Sequence, residues 1–241
     1  MLDKAQYSAF ESTLNSPIVS YRIVTTAALV QLFHTVTELL SDHPYVVVIA
    51  LDFSKAFDTV RHITLLQKLA SLDIPDCVYD WLVDYFSGHS HCTAFTKFHG
   101  QISPLLNMSA SIIQVSAVGP VSNVVNTGDL IPLTPGNRSC KYADDTIDTC
   151  LVIPASIIDS RTEELDSIRT WASTNNLKLN LKNSVEIVFV VSTRLRHVQL
   201  PNPLDGVPLV SSIKILGVTI SSHLSVSEHV SSVIGRCEQT I

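Results

Sequence analysis

The run Tyr45-Val46-Val47-Val48-Ile49-Ala50-Leu51 is apolar from end to end, rich in β-branched residues, and stops at a carboxylate, Asp52. A short continuous run of this kind reads as a strand buried on both faces, since a half-exposed strand would alternate apolar with polar. Far downstream, Tyr142-Ala143-Asp144-Asp145 lies between two further β-prone stretches. A strand end and a tight turn are rigid supports that can face each other across a sheet. Two adjacent aspartates close to a third push each other's pKa up unless a cation neutralises them. Magnesium, which prefers a few carboxylates together with phosphate oxygens, fits that need. Singly, each feature has a plainer reading: Asp-Asp pairs are common in solvated turns, and Asp52 alone reads as a surface acid ending a strand. The combination favours a metal site.

The rest of the chain reads as alternating helices and strands with no repeat, low-complexity tract or flexible linker. Leu29, Leu32, Phe33, Val36, Leu39 and Leu40 form a helical stripe within residues 25–40. Ser41-Asp42-His43-Pro44 ends that helix, because the residue before a proline avoids the helical region. Helices are expected over 64–72 and 75–87, the second opened by Pro75 and closed before Gly88. Residues 92–98 and 110–115 are expected as strands, and Gly119-Pro120 as the start of a helix reaching about Leu130. Thr134-Pro135-Gly136-Asn137 is a turn signal. A strand over 147–153 would complete an aspartate-bearing hairpin. Ser160-Arg161-Thr162-Glu163 reads as a capping box for a helix burying Leu165, Ile168 and Trp171 or Ala172. Strands over 185–191 and 209–220, the latter broken at Gly217, precede a helix over 225–237. The order is α+β, with helices packed on a mostly antiparallel sheet.

Composition narrows the function. At 241 residues the chain can bury a substantial core, and 46% hydrophobic with 16% charged excludes disorder. A net charge of -6 argues against tight autonomous binding of nucleic acid, whose phosphates are met by Lys and Arg. The five cysteines, without a CxxC pair, read as small buried thiols of a reducing compartment rather than zinc ligands. His89, His91 and His99 around Cys92 fit no standard zinc spacing. No Gly-x-Ser-x-Gly elbow or glycine-rich phosphate loop is present. With no signal pattern and no apolar run of membrane-spanning length, an intracellular protein of cytoplasm or nucleus is expected, neither secreted nor membrane-bound.

A family comes into view at Leu51-Asp52-Phe53-Ser54-Lys55-Ala56-Phe57-Asp58. Taken with Gln114, Gly119-Pro120, Tyr142-Ala143-Asp144-Asp145 and Ile215-Leu216-Gly217-Val218, the chain from about Tyr21 onward resembles the reverse transcriptase of non-LTR retrotransposons. The resemblance implies a polymerase palm with an antiparallel sheet backed by helices, reduced fingers, and a thumb missing or truncated. It divides the chain into residual fingers (1–44), palm (45–222) with inserted fingers helices (60–113), and the start of a connection or thumb helix (223–241). The implied activity is RNA-directed DNA synthesis, a two-metal nucleotidyl transfer to a primer 3′ hydroxyl. Asp52, Asp144 and Asp145 are then the catalytic ligands of magnesium, or of manganese. Phe53, Phe57, Gln114 and Lys182 are then nucleotide-binding. The implied partners are an RNA template, a DNA primer, deoxynucleoside triphosphates, and fingers, thumb or endonuclease segments of a longer polyprotein.

Phe57 matches an aromatic gate against the 2′ hydroxyl of a ribonucleotide, and equally fits a core aromatic on an amphipathic turn. Asp58 reads as a helix cap and Lys55 as solvated. Several positions depart from the family pattern. Gln114-Val115-Ser116 stands where Gln-Gly-Ser is usual, placing a β-branched side chain where glycine allows close backbone approach. Arg22 lies in an altered N-terminal motif and reads as an exposed arginine. Asp148 and Thr149 interrupt a strand that is apolar in the family. Lys182 comes one position early after Leu179-Asn180-Leu181; from a turn it would still reach a triphosphate, whereas in a strand it would face the wrong side. These departures leave room for a second reading, a degenerate retroelement remnant that keeps the palm fold without turnover.

Overall fold

The expected central strand forms with the expected limits. In the computed structural model, β1 spans Tyr45–Leu51, and residues 25–54, 58–87, 90–91, 106–107, 109–111, 118–141, 149–156, 158–191 and 199–238 are described. The described residues fall into two compact units.

In the larger unit, β1 is flanked on both sides by antiparallel neighbours, β6 (Thr149–Pro154) and β8 (Val185–Val190). β5 (Arg138–Lys141) continues the sheet beyond β6, and β9 (Leu209–Val210) lies parallel to β8 at the far edge. The order is therefore β5-β6-β1-β8-β9. Val46, Val48 and Ala50 on one face, and Val47, Ile49 and Leu51 on the other, are all buried. That explains why the run carries no polar alternation. Helix α1 (Thr25–Asp42) supplies Ala28, Leu32, Val36, Leu39 and Leu40 to a core shared with Val152, Ile187 and Phe189. It runs two residues past Leu40, stopping just short of the His43-Pro44 pair.

Two expectations about turns are corrected by the backbone. Residues 209–220 form β9, β10 (Ser212–Ile215) and β11 (Val218–Ser221) rather than one broken strand. The Leu-Gly motif is the two-residue turn of the β10–β11 hairpin, with Leu216 and Gly217 both at positive φ, 48° and 85°. Of the two-residue turns whose twist matches the strands, type I′ needs positive φ at both central residues. At helix α5 (Arg161–Thr174) no capping box forms. The Ser160 hydroxyl accepts instead from Asn137 Nδ2 at 3.1 Å, while Asp159 Oδ1 accepts from the Arg161 backbone N–H. The α5 face is otherwise as expected: Leu165, Ile168 and Ala172 are buried, and Trp171 meets Phe53 edge-on at 6.0 Å.

The smaller unit is built from described residues of Lys55–Asp129 and Thr174–Leu177. Helix α2 (His62–Ala70) packs against α3 (Asp76–Phe86) and α4 (Val118–Thr127). Leu65, Leu69, Val78, Leu82, Phe86 and Val125 are buried there. His62, also buried, lies against Phe86 and donates from Nε2 to the Ser111 carbonyl at 2.7 Å. Asp58 does not cap a helix: it sits in an exposed turn, and α2 starts after Arg61 with no side-chain cap. The short strands β3 (Ser90–His91) and β4 (Leu106–Asn107) pair antiparallel. The strands expected over 92–98 and 110–115 lie outside the described residues, apart from Ala110, which bridges Arg61, and Ser111, which is in no strand. In the chain as a whole, β2 (Phe53–Ser54) pairs with β7 (Lys178–Leu179), and α6 (Ser227–Glu238) closes the described residues.

The thiols are not uniformly buried. Cys140 and Cys150 face each other across β5–β6 inside the core, whereas Cys77 and Cys237 are exposed. Burial pushes the Cys140 thiol above its ordinary pKa, against the lesser effects of a Thr35 hydrogen bond and the Arg138 charge. Iodoacetamide at neutral pH should therefore label Cys77 and Cys237 in the folded protein, and Cys140 and Cys150 only after unfolding. Peptide mass spectrometry reads the difference directly.

Candidate active site at the end of the central strand

The sheet register brings three strand ends to one edge. Leu51, the last residue of β1, lies opposite Thr149, the first residue of β6. Thr149 in turn lies opposite Lys141, the last residue of β5. Asp52 thus leaves the sheet where the chain departs at Lys141 and returns at Thr149. Asp144, Asp145 and Asp148, carried by the intervening segment, lie outside the described residues, as do Arg22, Lys55, Phe57, His89, Cys92, His99, Gln114 and Val115.

Asp52 is held from one side by the turn that follows β7. The Asn180 N–H donates to the Asp52 carbonyl at 2.8 Å, and the Asp52 N–H donates to Ser184 Oγ at 3.1 Å. Ser184 is buried, and its hydroxyl donates to the Asn180 carbonyl at 2.9 Å, closing the turn on itself. The carboxylate is fixed as well: Oδ2 accepts from Asn180 Nδ2 at 2.8 Å and from Asn183 Nδ2 at 3.1 Å. Among the described residues nothing donates to Oδ1. A half-buried carboxylate with one oxygen saturated and the other open is a suitable ligand for a hard cation. Among the described residues no three His, Cys, Asp or Glu side chains gather into a metal group.

The other described candidates divide. Lys182 lies in the same turn, between the two clamping asparagines, and is exposed; its position in a turn removes the strand-register objection. Phe53 is buried with its ring against Trp171, so its side chain packs into the core. At Thr149, one of the departures from the family pattern, the hydroxyl is buried and has no hydrogen-bond partner among the described residues.

Two buried acids that sequence reasoning missed anchor other parts of the larger unit. Glu164 accepts from the Leu133 and Thr134 N–H groups at 2.9 and 2.7 Å and from Asn137 Nδ2 at 2.7 Å. It thereby anchors the turn at Thr134-Pro135-Gly136-Asn137, in which Gly136 takes a φ of 95°. Glu186, wholly buried in β8, accepts from Arg161 Nη1 and, through Oε2, from the Leu204 N–H at 3.1 Å. Arg161 also donates to both carboxylate oxygens of Asp159 and to the Asn202 carbonyl. The one visible signal was a glutamate inside the otherwise apolar Val185–Val190 run.

Comparison with known proteins shows the family and the fold. The model of the family described as reverse transcriptase (RNA-dependent DNA polymerase) matches residues 4–220. The RNA-directed DNA polymerase from mobile element jockey of Drosophila melanogaster is 26% identical, the match covering 81% of this chain and 22% of that protein. The probable RNA-directed DNA polymerase from transposon BS of the same organism is also 26% identical, over 85% of this chain and 23% of that protein. The chain thus spans less than a quarter of the length of these relatives. Among solved structures, telomerase from Candida tropicalis in complex with a TWJ fragment of telomeric RNA superposes with a TM-score of 0.63. That match has 11% identity and covers 94% of this chain and 36% of that one. The telomerase of Candida albicans gives 0.59 at 13% identity, over 89% of this chain and 36% of that one. The likeness to the telomerases is one of fold, a mixed α+β architecture around an antiparallel-dominated sheet. With a family match over most of its length, and with Asp52 at the end of the central strand of that fold, this chain belongs to the reverse transcriptase (RNA-dependent DNA polymerase) family.

Proposed function

We propose that the chain is the polymerase segment of a non-LTR retrotransposon protein, adding deoxynucleotides to a DNA primer on an RNA template. The observation that carries this reading is the register that sets Leu51 opposite Thr149 and Thr149 opposite Lys141. Asp144 is three residues from Lys141 and Asp145 four from Thr149. The segment that joins these two strand ends therefore carries both aspartates. In this reading Asp52, Asp144 and Asp145 hold magnesium or manganese. When bound, the metal neutralises the charge of the transferring phosphoryl group and orients the displacement. The chain's own part is to fix the carboxylates and present the nucleotide. Asp52 offers Oδ1, Lys182 reaches out from its exposed turn toward the triphosphate, Gln114 contacts the incoming nucleotide, and Phe57 excludes a 2′ hydroxyl by its bulk. The division into residues 1–44, 45–222 and 223–241 belongs to the same reading, with segments of a longer polyprotein completing the grip on template and primer. Among the described residues no helix is long and apolar enough to cross a membrane.

Val115, in place of the usual glycine beside Gln114, favours a second reading, a palm fold without turnover. Single-nucleotide incorporation into a DNA primer on an RNA template separates the two. A working polymerase gives magnesium-dependent product that disappears in Asp144→Asn. A remnant gives none, and activity appearing only in Val115→Gly would identify that side chain as the block.

A further inference from the structure

The turn 180–184 surrounds Asp52 more completely than a structural turn needs to. It satisfies the residue's N–H, its carbonyl and Oδ2, and leaves Oδ1 alone. The backbone bonds would by themselves anchor the strand end. The two carboxamides do something different: both donate to the same oxygen, from residues three apart in one tight turn. That turn is closed by the Asn183 and Ser184 N–H groups donating to the Asn180 carbonyl at 3.2 and 3.0 Å. Two donors converging on one oxygen stop the carboxylate from rotating about its terminal bond, which is otherwise a soft, two-fold torsion. They also prevent it from chelating a cation with both oxygens.

We propose that Asn180 and Asn183 are positioning residues that make Asp52 a one-oxygen ligand, presenting Oδ1 to a divalent cation. This rests on the polymerase reading of Asp52, and it assigns a role to two residues that neither composition nor the aspartate motifs single out. Outer partners that orient a ligand raise metal affinity because the ordering of the ligand is complete before the metal arrives. Lys182 lies between the two asparagines, so the turn that aims the carboxylate also sets where that lysine stands.

The test is Mn2+ binding to the intact chain, read by electron paramagnetic resonance, with thermal melting recorded in parallel. Asn183 is exposed and its side chain makes one bond among the described residues, so Asn183→Ala should melt with the unsubstituted protein. It should bind Mn2+ about 10-fold more weakly, and Asn183→Gln, which keeps the carboxamide, should recover part of that loss. Unchanged Mn2+ affinity in Asn183→Ala, alongside a clear loss in Asp52→Asn, would overturn the positioning role and leave the polymerase reading standing. Unchanged affinity in Asp52→Asn would remove both, since Asp52 would then be no ligand. Should Asn183→Ala fail to fold, the unsubstituted protein supplies the answer: the side-chain amide resonances of Asn180 and Asn183 must move together as Mg2+ is added. If they stay fixed while Mg2+ binds, the proposal falls.

Discussion

Glu186→Ala is expected to lower the unfolding free energy by about 3–5 kcal/mol, the usual cost of leaving one member of a buried ion pair without its partner. The side chain is fully buried and accepts from both Arg161 and the Leu204 N–H, so its removal strands a buried cation and a buried amide together. Asp159 and the Asn202 carbonyl still hold Arg161 from the other side, which keeps the loss from being larger. In urea the midpoint should fall by roughly 1–2 M. Asp166→Ala, which breaks only the exposed pair with Arg169, should stay within about 1 kcal/mol of the unsubstituted protein. Equal midpoints for Glu186→Ala and Asp166→Ala would contradict the buried network.

The network also has a pH signature. The Arg161 hydrogen bond to Asp159 holds that carboxyl below its ordinary range, outweighing the opposing effect of burial. Because the folded value is the lower one, the pair's contribution is fully present above the ordinary aspartate pKa. It is lost as pH falls through the depressed folded value. Asp159 is more than half exposed, so this contribution is small beside that of Glu186.

If the proposed polymerase reading holds, Asp52→Asn should reduce nucleotide incorporation by at least about 10³-fold, equivalent to about 4 kcal/mol of barrier. The substitution is nearly isosteric and leaves the backbone bonds to Asn180 and Ser184 in place, so melting should change little. It replaces an anionic oxygen with a neutral group and removes the charge that a cation would require. Retention of more than about a tenth of the activity, with the fold intact, would show that Asp52 is not a ligand.

What the sequence disclosed and what it hid follow from the range of the forces involved. The limits of β1 were legible because a β-branched run between Pro44 and Asp52 has one local solution. The α5 face was legible for the same reason, its apolar residues lying at helical spacing. The Leu216-Gly217 turn was not, because only the glycine signals positive φ and a leucine at φ 48° has no local mark. The partners of Asp52 were hidden by distance: Asn180 and Asn183 are 128 and 131 residues away and served in the sequence only as landmarks for Lys182. Glu186 and Arg161 are 25 residues apart, and no local pattern joins them. Long-range polar pairing leaves no periodicity, and so it appears only once the chain is folded.

The most direct test of the metal-holding edge is the pattern of NMR line broadening caused by substoichiometric Mn2+ in the unsubstituted chain. The account expects broadening to centre on Leu51, Asp52, Lys141 and Thr149, to reach Asn180 and Asn183, and to vanish in Asp52→Asn. Broadening centred elsewhere on the protein, or left unchanged by Asp52→Asn, would contradict it.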